Sequence, residues 1–173
     1  MGLDDLAKDW IYARSAIGKN GIPFTQYKLR TMEHGAEERR ATLVHANGVD
    51  ELGKICDDPR VLPSRAWLRE HCIDETPQLA FNVPFRSMRV VGVRPLNAEE
   101  LAEQPADLQE QYLRHGPGFF GIHYASRSLA SFDDHLALSR EYYAERERNP
   151  LRTDLRYGIR ILYNFLLRQV RSR

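Results

Sequence analysis

The chain has 173 residues, 42% of them hydrophobic and 28% charged, with a formal net charge of +1. That size and composition predict one globular domain with a real core, and the near-neutral charge excludes the basic excess that a domain-wide nucleic-acid footprint requires. Cys56 and Cys72 form neither a disulfide framework nor a metal-ligand spacing, no stretch approaches the ~20 apolar residues that span a bilayer, and the opening MGLDDLAKDW has no apolar run of the kind a secretory leader needs.

In chain order, residues 3–13 predict a short helix with Leu3, Leu6, Trp10 and Ile11 on one side. The following stretch reads as a hairpin, because Asn20-Gly21 supplies the two positive φ angles of a type I′ turn. A helix is expected over 36–46 and a loop from Gly48 to Pro59. Pro63-Ser64 opens a helix running to His71, and a second helical segment follows at 75–82, with Pro77 in its first turn. SMRVVGVRP predicts a strand stopped by Pro95, residues 97–115 predict helix broken near Pro105, and FFGIHYAS a further strand after a Gly116-Pro117-Gly118 turn. Ser131 is placed to cap the next helix, and Pro150 separates that helix from the last. The expected class is α+β, with helices dominating a small, mostly antiparallel sheet.

The segment LREHCIDETPQL places two adjacent carboxylates, Asp74 and Glu75, between apolar stretches, with Arg69 five residues before. Alone, such a pair is a weak signal, better explained by the preference of acidic residues for helix starts. Other segments add to it. GKNGIPFTQYKLRTM at 18–32, DPRV at 58–61, LREHCIDETPQL at 68–79, SMRVVGVRPL at 87–96 and GPGFFG at 116–121 occur in the same order as in the bacterial sugar transferases, the monotopic phosphoglycosyl transferases. The tail from Tyr142 through Asp154-Leu155 also resembles that family's ending, so the resemblance covers about residues 17–170.

That resemblance implies transfer of a sugar 1-phosphate from a UDP-sugar donor to a phosphate acceptor, polyprenyl phosphate in the family, with Mg²⁺ as cofactor. It makes Asp74 the carboxylate that attacks the phosphorus bearing the sugar and expels UMP, in two easier displacements instead of one. Glu75 stands beside it, and both carboxylates are expected to hold Mg²⁺ together with phosphate oxygens. Arg30, Arg69 and Arg94 occupy family-matched positions and are expected to clamp phosphates, for which the guanidinium fork is suited. Lys28 is not counted among the clamps, since the alternate face of its strand would carry it away. Gly116, Pro117 and Gly118 are expected to shape a loop near the substrate. His71 reads as a helix-surface residue and Cys72 as a small buried one.

Family members begin with a hydrophobic segment that dips into the membrane. The polar stretch before Gly18 leads to the expectation that residues 1–173 form the catalytic domain without that segment, located in the cytoplasm or peripherally at the inner face of the membrane. Arg86-Ser87 replaces the family's usual Gly-Asp, Val93 replaces a Pro, and Gly116 stands where a basic residue is usual. These changes keep two other functions open: a transferase-like enzyme with a soluble acceptor, and a non-catalytic scaffold that binds a nucleotide-sugar. From Asn149 onward six Arg stand against one Asp. There Leu151, Leu155, Ile159, Leu162 and Leu166 share one helical face, beside a stripe of Arg152, Arg156 and Arg160. That pattern fits either docking on an anionic membrane or a core-packed helix with a solvated arginine face. No nucleic-acid partner is expected.

Overall fold

The computed structural model describes residues 9–48, 55, 58–126 and 131–168. The expected α+β class is found, with seven helices and four short strands among the described residues. The first unit is the predicted hairpin. Strand β1 (Ile11–Ile17) pairs antiparallel with β2 (Pro23–Leu29), in a register that sets Arg14 opposite Gln26 and Tyr12 opposite Lys28. The turn is made as the dipeptide requires. Asn20 and Gly21 both have positive φ, 59° and 76°, and Ile22 N donates to Lys19 O at 3.3 Å.

The predicted helix over 3–13 is corrected at its end, and residues 1–8 lie outside the described residues. Residues 9 and 10 are helical, but β1 already begins at Ile11. The turn dictates a partner for each residue back to Ile11, and Arg30 N donates to Trp10 O at 2.7 Å, which extends the pairing by one more bond. Ladder bonds thus override the weak helical spacing of Trp10 and Ile11.

Helix α1 (Arg40–Asn47) follows, shifted from the predicted 36–46, and most of the predicted loop beyond it, Cys56 included, lies outside the described residues. The DPRV segment then organises the chain. Arg60, only 5% exposed, donates from Nε and Nη2 to the two carboxylate oxygens of Asp58 at 2.8 and 2.6 Å. Its backbone accepts from Glu33 N, and Met32 bridges to Val61, so this segment fastens the end of the hairpin. Helices α2 (Ala66–Glu70) and α3 (Pro77–Phe81) come next, both close to prediction.

Strand β3 (Arg89–Gly92) pairs in parallel with β4 (Gly118–Gly121), linked by α4 (Ala98–Ala102) and α5 (Ala106–His115). The four strands therefore make two separate two-stranded ladders, the longer one antiparallel. The predicted strand FFGIHYAS is shorter than expected: β3 offers partners only as far as Gly92, and the chain passes at Ile122 into a 3-10 turn. The parallel pair is unusually close. A Cβ on Gly118 would lie 2.1 Å from Gly92 N, and one on Gly92 would lie 2.8 Å from Gly118 N, so both positions require glycine.

Two long helices complete the fold, α6 (Phe132–Arg148) and α7 (Pro150–Arg168). Ser131 caps α6 as expected, its side chain accepting from Asp134 N. The main core gathers Val91 and Ile122 against Tyr142, Tyr143, Tyr157 and Ile161 of these helices. A smaller cluster of Leu96, Leu101 and Tyr112 ties in the hairpin, where the Tyr112 hydroxyl donates to Ile17 O at 2.7 Å and accepts from Leu96 N at 2.9 Å.

Helix α7 packs on the core through a face its leucine period did not mark. Its packed face carries Thr153, Tyr157, Ile161 and Asn164, with Asn164 Nδ2 donating to Tyr124 O at 2.7 Å. The helix is core-packed with its arginines exposed, but the packed face is not the leucine stripe, which faces outward with Leu151 84% and Leu166 70% exposed. No described helix is long and apolar enough to cross a membrane.

Candidate active site

Asp74 lies on a single 3-10 turn, Ile73–Glu75, between α2 and α3. Three local features produce that turn. Cys72 ends α2 in the left-handed region at φ 55°, Pro77 restarts the helix from its first turn, and Thr76 Oγ1 donates to Ile73 O at 2.8 Å. The result separates the two carboxylates. Asp74 is buried, 7% exposed, whereas the Glu75 side chain stays partly accessible.

The hairpin supplies the opposing wall. Because side chains alternate along a strand, Gln26, Lys28 and Arg30 share one face of β2, joined there by Tyr12 and Arg14 across the ladder. Lys28 therefore points toward the dyad, not away from it: its Nζ donates to Glu75 Oε1 at 2.7 Å. Gln26 is buried between Arg14, whose Nε donates to it at 2.8 Å, and Gln78 of α3, to which it donates at 3.0 Å. This chain of bonds locks the dyad's helix to the hairpin.

These elements enclose a cavity of about 720 Å³, within the range of about 300–1,000 Å³ usual for small-molecule sites. Asp74, Glu75, Arg30, Arg69 and Arg94 all line it. Arg30 is braced by Ile11 O at 3.3 Å and by the ring of Tyr12. Arg94 pairs with Glu100 at 3.4 Å. Glu100 in turn closes a capping box with Asn97 at the start of α4 and also meets Arg14, at 3.5 Å, so one carboxylate orients two guanidinium groups. Burial pushes the Glu100 carboxyl up, but Arg94 and Arg14 outweigh it and hold the group below its ordinary value. The Arg69 side chain, on α2, makes no hydrogen bond or ion pair with another described residue, and its charge acts on Asp74.

Burial, then the neighbouring Glu75 charge, raise the Asp74 carboxyl from 3.8 to about 6, against the opposing pull of Lys28 and Arg69. Such a group is ionised at neutral pH yet more basic than a free aspartate, a combination typical of reactive carboxylates. Next to Arg60, by contrast, the hydrogen-bonded Asp58 carboxyl is held low, as a structural pair would be.

The glycine loop is placed elsewhere. Gly116, at φ 73°, and the buried Pro117 line a second, smaller depression, while Gly118 lies in β4 against Gly92. From β4 and the turn after it, Phe119, Gly121, His123 and Tyr124 reach the dyad cavity. Sequence reasoning missed Lys28 and Arg14. Both follow from the Asn20-Gly21 turn, since counting outward from it pairs 12 with 28 and 14 with 26 and sets all four residues on the face that also carries Arg30.

Comparison with known proteins supports the family resemblance. The chain matches the bacterial sugar transferase family over residues 3–167. It is 33% identical over 138 residues to the galactosyl transferase CpsE of Streptococcus agalactiae, covering 78% of this chain and 30% of that protein. It is 32% identical over 117 residues to the undecaprenyl-phosphate galactose phosphotransferase of Salmonella typhimurium, covering 65% and 24% respectively. With the exopolysaccharide production protein ExoY of Rhizobium meliloti the identity is 34% over 137 residues, 76% of this chain and 60% of that protein. The chain thus spans only part of the length of each of these relatives. The match along nearly its whole length shows that the chain belongs to the bacterial sugar transferase family.

Proposed function

We propose that this chain carries a phosphoglycosyl transferase centre that moves a sugar 1-phosphate from a UDP-sugar to a polyprenyl phosphate through a covalent intermediate on Asp74. The observation that carries this reading is the buried, basic Asp74 carboxylate in a cavity lined by Lys28, Arg30, Arg69 and Arg94. In the first half-reaction an Asp74 oxygen bonds to the phosphorus that bears the sugar. The bond from that phosphorus to the bridging oxygen breaks, and UMP leaves with the electron pair. In the second, an oxygen of the acceptor phosphate bonds to the same phosphorus and the acyl phosphate bond to Asp74 breaks. A polyprenyl diphosphate sugar is formed and the carboxylate returns.

The chain's own residues divide this work. Lys28 holds Glu75 and lowers the cost of ionising Asp74. Arg94 and Arg69 meet the charge of the diphosphate, and Arg30 stands fixed on the same wall. Mg²⁺ suits this donor set. Among the described residues no three His, Cys, Asp or Glu side chains gather into a metal cage, and Mg²⁺ characteristically takes one or two carboxylates and completes its shell with phosphate oxygens and water. Asp74 and Glu75 would hold it, and when bound it would offset the repulsion between carboxylate and diphosphate.

The relatives' names speak of an undecaprenyl-phosphate acceptor in one case and of galactosyl transfer in another. A lipid acceptor for this chain is favoured by the outward leucine face of α7, flanked by Arg152, Arg156 and Arg160, which suits peripheral docking on an anionic bilayer at the inner face of the membrane. The test of the mechanism is UMP release from a panel of UDP-sugars. Asp74→Asn is expected to abolish it, and release at the wild-type rate by that variant refutes the covalent route.

A further inference from the structure

The second depression has no role in the chemistry above, and its walls carry a different message. It measures about 140 Å³ and is lined by Lys19 of the hairpin turn, Arg86 and Arg89 around Met88, Arg114 and His115 at the end of α5, and Arg146 of α6. It shares no lining residue with the dyad cavity. Carboxylates only partly balance this charge. Arg114 pairs with Glu110 and Glu147, but Arg146 and Arg89 share the single carboxylate of Asp154, at 3.1 and 3.7 Å. Lys19 and Arg86, both exposed, form no ion pair with another described residue.

Three buried donor atoms, on two side chains of the same wall, make no hydrogen bond. Arg89 uses Nη2 on the Tyr142 hydroxyl, at 2.7 Å, while its Nε and Nη1 are buried with no hydrogen-bond partner, Nη1 lying 3.7 Å from the Asp154 carboxylate. The His115 ring lies 5.4 Å from that of Tyr143, stacked on it, and its Nδ1 accepts from Arg146 Nη1 at 2.9 Å. The ring proton is thereby placed on Nε2, which is also buried without a partner. Burial first, then the charges of Arg146 and Arg89, lower the His115 pKa to about 4, so the ring stays neutral. Buried donors left unmade are uncommon and call for an acceptor. By liquid volume the space holds about five waters: enough for a phosphoryl group, too little for a nucleotide.

We propose that this depression is a second anion site, distinct from the dyad cavity, that takes a phosphate-sized oxyanion on Lys19, Arg86, Arg89 and the Nε2–H of His115. The oxyanion is either free phosphate or a monoester in solution, or the phosphate headgroup of a lipid.

Isothermal titration of the full chain with inorganic phosphate in Mg²⁺-free chloride buffer tests the site. Lys19 and Arg86 are exposed, so Lys19→Ala/Arg86→Ala is expected to keep the fold by circular dichroism and to weaken phosphate binding at least about tenfold. Arg94→Ala, in the dyad cavity, removes phosphate bound there and is expected to leave in place the component that the double variant loses. An isotherm that the double variant leaves unchanged, phosphate binding wholly removed by Arg94→Ala alone, or no saturable binding at millimolar phosphate overturns the proposal. Flotation with phosphatidylcholine vesicles, with and without phosphatidic acid, separates the sources. Phosphatidic-acid binding that is lost in the double variant assigns the lipid headgroup, and phosphate binding without it assigns the soluble anion.

Discussion

Replacing Asp74 by Asn is expected to make the protein more stable while removing its chemistry. The asparagine side chain imitates the protonated carboxyl, which is the form that burial and Glu75 favour in the folded state. In the unfolded chain Asp74 loses its proton at its ordinary value of 3.8, whereas in the folded chain it does so only near about 6. Below 3.8 the carboxyl is protonated in both states, and wild type and variant gain equally from folding. As pH rises toward about 6 the unfolded state ionises first, and the wild type loses stability that the variant keeps. The full shift is worth about 3 kcal/mol at about 1.36 kcal/mol per pKa unit. Water entering through the open cavity trims it, so a gain of about 1–3 kcal/mol is expected near pH 7.5, or roughly 2–4 °C in Tm for each kcal/mol at this size. Urea unfolding from about pH 4.5 to 8 measures it. A variant less stable than wild type at pH 7.5, or a difference independent of pH, refutes the assignment of Asp74 as a buried carboxylate with a raised pKa.

Three further outcomes follow from the same geometry. Lys28→Ala removes a charge that lowers the Asp74 pKa, so the acidic limb of the pH–rate profile is expected to move to higher pH and the maximal rate to fall about 100-fold or more, read by UMP release. Gly118→Ala drives a methyl into β3 at Gly92 N and is expected to destabilise by about 3 kcal/mol or more, measured as a lower urea midpoint. Leu155→Glu with Leu162→Glu alters only outward residues, so thermal stability is expected to hold within about 1 kcal/mol while binding to anionic vesicles is lost; unchanged sedimentation with vesicles removes α7 as the docking face.

Much of the site could be read from local chemistry. Asn20-Gly21 announced the hairpin because few other dipeptides accept two positive φ angles, and Pro63, Pro77, Ser131 and Pro150 marked helix boundaries by what each does to the backbone. The carboxylate pair and the three arginines named from the motifs line one cavity. What escaped depended on partners distant in sequence. Lys28 was assigned a face without the register, although the register was set by the same turn. The glycine motif looked like a loop, but Gly118 is needed for the close crossing of β3 and β4, a contact no local signal encodes. On α7 the apolar period was clear, yet periodicity says that a helix is two-faced and not which face is covered. Tyr157 against Tyr142 and Asn164 on the Tyr124 carbonyl decided that, and neither belongs to the leucine stripe.

The central claim is a covalent phosphosugar on Asp74, and intact mass spectrometry after incubation with Mg²⁺ and a UDP-sugar panel addresses it most directly. For the sugar that is used, the protein is expected to gain the mass of one sugar phosphate, on the peptide containing Asp74 and absent from Asp74→Asn. UMP release by the wild type with no adduct at any time, or an adduct that persists in Asp74→Asn, contradicts the account.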